Sequence, residues 1–100
     1  MKFDQWLTLS ETEKQAEQAC WNPYREGYWH DLLSEAAKRF EAEFASVTHV
    51  RDVHSGTYHG GELIIGVSTD LPYPQTITLP DSYLGFRVMQ FCGGTPEPLP

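Results

Sequence analysis

The apolar positions change period once along the chain, near residue 46. Before that point they recur at steps of three and four, the spacing of one helix face. After it they alternate or run together, as in strands. "LSETEK" opens the first clear helix. Ser10 caps it by accepting from the backbone near Glu13, Glu13 reaches back to the cap, and both Glu11 and Glu13 suit the positive helix start. This helix is expected to run to about Cys20 or Trp21, with Ala16, Ala19 and Cys20 facing inward. Ahead of it, Phe3, Trp6 and Leu7 have helical spacing and predict a short turn over the core. A second, longer helix starts at "WNPY", with Asn22 as cap and Pro23 at the first helical position, and reaches about Ala45. Trp29, Leu32, Leu33, Ala36, Phe40 and Phe44 form its apolar stripe. Gly27 weakens the opening turns by about 1 kcal/mol relative to alanine, which moves the start toward Tyr28.

In the second half, "VHSGTYHGGELIIGV" reads as a hairpin turning at His59-Gly60-Gly61, because a three-residue loop needs a left-handed position that glycine adopts freely. That loop sets Tyr58 opposite Glu62, Gly56 opposite Ile64 and Val53 opposite Val67. Alternation then puts Val53, Ser55, Thr57, Leu63, Ile65 and Val67 on the face that receives the second helix. His54, Tyr58, Glu62 and Ile64 share the other face. "DLPYPQ" is a loop, "TITL" a short edge strand, and Pro80 and Asp81 a further break. "GFRVMQF" is the last main strand, with Phe86 and Val88 toward the core and Arg87, Met89 and Phe91 outward. Residues 93–100, rich in glycine and proline, predict a flexible tail.

Helical and strand segments are segregated, which points to one α+β domain over residues 1–100. The expected architecture is two N-terminal helices and then an antiparallel sheet of three main strands, with room for a fourth. The long second helix packs on one sheet face.

Composition narrows the partners. An aromatic share of 13 % sets the chain apart from disordered sequences. The net charge is −7 and the seven Lys and Arg residues are scattered, so no basic stripe exists to bind nucleic acid or an anionic membrane surface. Such a surface attracts basic proteins instead. No stretch reaches the roughly 18–20 apolar residues that cross a bilayer. "MKFDQWLTLS" lacks the apolar run of a signal peptide, so the expected location is the cytoplasm. Cys20 and Cys92 match no zinc spacing and no C-x-x-C motif, and their redox state is left open.

Candidate chemistry is sparse. His49, His54 and His59 recur every five residues, and an odd spacing puts strand neighbours on opposite faces, so they do not converge on one ion. His54, Tyr58 and Glu62 share a face and form the better ligand-binding cluster. The aromatic ridge of Trp21, Tyr24 and Tyr28, near Arg25, is the second. "HGGE" and "CGGT" lack the phosphate-loop and dinucleotide patterns, and Ser55-Gly56 is not a nucleophile elbow. No residue is assigned a catalytic role, and neither a metal nor a cofactor is expected.

The outer sheet face carries the functional expectation. With helices on the other side, Tyr58, Ile64, Met89 and Phe91 stand on a face that is normally more polar. An apolar patch rimmed by charge marks an interface. The leading reading is therefore a non-catalytic interaction module that self-associates as a homodimer through this face, with a basic protein as a further partner. Two alternatives stand beside it. Phe3, Trp6 and Leu7, or the loop with Leu71 and Tyr73, cover the patch within one chain. Or the protein is a small-molecule binder or small enzyme with a pocket between helix and sheet. "HGGELIIGV" followed by "LPDSYLGFRV" resembles the glycine-turn and strand patterning of small bacterial α+β proteins, a likeness that carries no catalytic residue.

Overall fold

The structure, a computed structural model, describes residues 2–19, 28–58 and 62–94, with the backbone alone at 28 and 29. Among the described residues there are three helices, α1 (Phe3–Thr8), α2 (Glu11–Ala19) and α3 (Tyr28–Phe44), and four strands, β1 (Val50–Tyr58), β2 (Glu62–Thr69), β3 (Ser82–Tyr83) and β4 (Phe86–Cys92). The fold is α+β, as the segregated pattern predicts. The long helix is third in order instead of second, because Phe3–Thr8 forms a helix of its own.

The start of α2 is the reciprocal cap that "LSETEK" encodes. The Glu13 N–H donates to Ser10 Oγ at 3.1 Å, and the Ser10 N–H donates to Glu13 Oε1 at 3.0 Å. Hydrogen bonding to the Glu13 carboxyl, first from the Ser10 backbone N–H and then from the Ser10 hydroxyl, lowers its pKa from the ordinary value. The inward face of α2 differs from expectation. Ala16 and Ala19 are exposed and Lys14 is buried, at 5 % exposure, with its Nζ donating to the Leu9 carbonyl at 2.8 Å. The reason is what α2 meets. It faces a turn, and the Gln15 and Gln18 carboxamides both donate to the Gly85 carbonyl there. Backbone acceptors call for donors, which alanine lacks. Along α3 the stripe of Leu32, Leu33, Ala36 and Phe40 is buried, together with Ala37, and lies against β1 and β2.

The sheet is mixed, which corrects the antiparallel expectation. Its order is β1-β2-β4-β3, and β4 runs parallel to β2. The β1–β2 hairpin has the predicted register, with Tyr58 opposite Glu62, Gly56 opposite Ile64 and Val53 opposite Val67. Parallel neighbours need a long crossover, and residues 70–85 supply it. The chain leaves β2 at Thr69, passes the end of β4 and returns along its other edge. There the Cys92 thiol donates to the Gln75 carbonyl at 3.2 Å, and the Val88 N–H donates to the Asp81 carbonyl at 2.9 Å. "TITL" occupies this edge but is not a strand. Its Ile77 is held by one side chain, the Gln90 carboxamide, which accepts from the Ile77 N–H at 2.9 Å and donates to the Ile77 carbonyl at 2.8 Å. The short edge strand is Ser82–Tyr83.

A two-residue turn at Leu84-Gly85 links β3 to β4, with positive φ at both residues, 50° and 88°. Positive φ at both central positions matches the right-handed twist of the strands it joins. Trp6 closes this corner. Its Nε1 donates to the Leu84 carbonyl at 2.8 Å, and its ring stacks on Phe86 at 5.2 Å. The core between helices and sheet is filled by Trp6, Leu32, Leu33, Phe40, Ile65, Val67 and Phe86.

Candidate functional site

The outer side of the sheet, away from α3, is built by strand alternation. From β1 it takes Asp52, His54, Gly56 and Tyr58; from β2 Glu62, Ile64, Gly66 and Ser68; from β4 Arg87, Met89 and Phe91. Expectation and register agree on these faces. What they do with the side chains is more specific.

His54 and Glu62 lie four pairs apart in the ladder and are engaged separately. The Glu62 Oε1 accepts from Arg87 Nη1 at 2.9 Å across β2 and β4. His54 lies with its Nδ1 3.6 Å from Asp52 Oδ2 and its ring 5.8 Å from that of Phe91, in a tilted contact. The imidazole fills the space above Gly66 that a Cβ would occupy, which is why a side chain is absent at that point of the central strand. So His54, Tyr58 and Glu62 share a face without converging on one point. Among the described residues no group of three or more His, Cys, Asp or Glu is placed to hold a metal ion. Trp21 and Tyr24, and the side chain of Tyr28, lie outside the described residues.

Apolar groups are brought together instead. Tyr58, Met89 and Phe91 line a groove of about 380 Å³ with Tyr73, Pro74 and Cys92. Ile64 sits in the central strand of this face and is only 3 % exposed, so it is floor and not contact surface. The accessible part is aromatic: Tyr58 is 37 % exposed, Phe91 36 % and Tyr73 84 %. Phe3 and Trp6 belong to the helical side, in or against the core. The crossover therefore flanks the patch and leaves it open. Tyr73, Pro74 and Thr76 are the site residues that strand patterning misses, since they come from a loop. Two prolines around a tyrosine in "LPYP" are the signal that was there to read.

The charged couple of this face, Glu62–Arg87, is neutralised in place, and the Cys92 thiol is already donating to Gln75. β1 is the longer of the two edge strands of the sheet among the described residues, and its register is interrupted between Val50 and Asp52. Irregularities of this kind blunt an edge against strand addition. No helix among the described residues is long and apolar enough to cross a membrane. No known protein-family profile matches the chain, and neither does any characterised protein or solved structure.

Proposed function

We propose that the protein is a non-catalytic interaction module that self-associates as a dimer through the outer face of its sheet. The observation that carries this reading is the cluster of exposed aromatic rings, Tyr58, Tyr73 and Phe91, around one groove on an otherwise well-packed small domain. Aromatic side chains and methionine are enriched at the centres of protein interfaces, where charged residues are depleted. The groove has that composition, with the Glu62–Arg87 couple beside it. The net charge of −7 favours basic proteins as further partners and disfavours nucleic acid and anionic membranes. In this reading the protein works in the cytoplasm.

Sedimentation of the purified chain across a range of concentrations tests the proposal. The expected result is a monomer–dimer equilibrium, displaced to monomer by Met89→Glu. A parent chain that stays monomeric at every concentration overturns it.

A further inference from the structure

We infer that His54 makes the self-association proposed above, on which this inference rests, tighter in mild acid than at neutral pH. Its imidazole is the group through which the docking face changes charge. Among the described residues, the ionisable side chains on this face are Asp52, His54 and Tyr58 from β1, Glu62 from β2 and Arg87 from β4, with Tyr73 and Cys92 at the groove. Glu62 and Arg87 balance each other at 2.9 Å. Asp52 is left as the unbalanced charge, with the His54 imidazole beside it. Of these residue types only histidine ordinarily gains or loses a charge between pH 5 and 8.

The surroundings of the ring suit its charged form. Nδ1 lies 3.6 Å from Asp52 Oδ2, too far for a good hydrogen bond but close enough for an ion pair. The Phe91 ring lies 5.8 Å away across β2, inside the roughly 6 Å over which an aromatic ring attracts a cation. Gly66 supplies the room, because the imidazole occupies the volume of the missing Cβ. A neutral His54 only fills this space. A protonated His54 meets a carboxylate and an aromatic ring in the same position.

Symmetry turns this local pair into a control on association. A two-fold dimer brings the same patch of both copies together. With the imidazole neutral, each copy presents the Asp52 carboxylate to the other, on a chain whose net charge is −7. Like charges brought together oppose association. Protonation balances Asp52 within its own copy and removes that repulsion. It also strengthens the hold on Phe91, an exposed wall of the groove.

Sedimentation of the full chain at about pH 8 and about pH 5.5, at one salt concentration, tests this. The parent dimer is expected to be about fivefold tighter at the lower pH, the scale of one exposed ion pair in each copy. His54→Gln is expected to lose most of that change and to stay near the weaker value. Asp52→Asn is expected to be tight already at the higher pH and to gain little on acidification. His49→Gln is the control. The parent imidazole there is bound to Asp70 at 2.7 Å, beyond the ends of β1 and β2, and its loss should leave the profile as in the parent. A parent dimer indifferent to pH overturns the inference and leaves the self-association standing. So does a His54→Gln dimer with the parent's profile, which assigns the change to overall charge. A parent chain that is monomeric at both pH values overturns the self-association, and this inference with it.

Discussion

The indole of Trp6 donates its N–H to the backbone carbonyl of Leu84, seventy-eight residues away, at 2.8 Å. One bond thus ties the first helix to the last turn. With the stack on Phe86 it makes Trp6 the joint between the N-terminal segment and the sheet. Replacing it with phenylalanine keeps an aromatic ring against Phe86 but leaves the Leu84 carbonyl without this donor and a gap beside it. The expected loss is about 2 kcal/mol, seen as a lower urea midpoint at unchanged slope.

Gly85 should tolerate alanine far less well than Gly66. At Gly85 φ is +88°, and an added Cβ meets the buried Lys14 stem at 2.8 and 2.9 Å and the Trp6 ring at 3.1 Å. Left-handed backbone and overpacking together predict a loss of about 2–4 kcal/mol for Gly85→Ala. At Gly66 the obstacle is the end of one side chain, the His54 ring, which can swing away. Gly66→Ala is expected to change stability by less than about 1 kcal/mol. It should instead break the His54–Phe91 contact, visible as a shift of both ring resonances. Equal destabilisation by the two substitutions would contradict this account.

Gln90→Leu isolates the crossover. The substitution removes both carboxamide bonds to Ile77 while keeping an apolar body of similar size. The expected cost is about 1–2 kcal/mol. The sharper readout is limited proteolysis: cleavage between residues 71 and 81 should speed up while the β1–β2 hairpin stays protected. Unchanged cleavage there would mean that the edge is held by other contacts.

Alkaline pH should weaken the fold through Tyr83. Burial, and then the hydrogen bond of its hydroxyl to Glu43 Oε2 at 2.9 Å, raise its pKa above the ordinary tyrosine value of 10.0. The folded chain therefore holds the phenolic proton more tightly than the unfolded chain. The stability this supplies is whole below the unfolded value, near pH 10, and is lost as pH rises through the folded one. Tyr83→Phe should flatten the fall in melting temperature across that range. An identical alkaline profile in parent and variant would show that another group controls it.

How much of this was legible follows from which forces are local. The hairpin register was readable at Val53, Tyr58 and Glu62 because a glycine loop and period-2 alternation fix it within a few residues. The α2 cap was readable for the same reason. The parallel pairing of β2 with β4 was not, because local pattern does not say which strand lies on the far side. The run from Leu63 to Val67, buried on both faces, was the available sign of a central strand, since such a strand loses its alternation. Gln90 escaped because it acts on backbone groups of Ile77, thirteen residues away, and Lys14 because its stem packs against Gly85, far along the chain. The groove escaped in part because Tyr73, Pro74 and Thr76 of its wall come from a loop.

The fastening of α1 and α2 to residues 84–86 has a consequence for the order of events during synthesis. Trp6, Lys14, Gln15 and Gln18 leave the ribosome early, yet what they grip is made more than sixty residues later. Until then the indole has no turn to seal. Translation thus delivers the lock first and the bolt late, and α1 and α2 can be fastened only once residues 84–86 have been made.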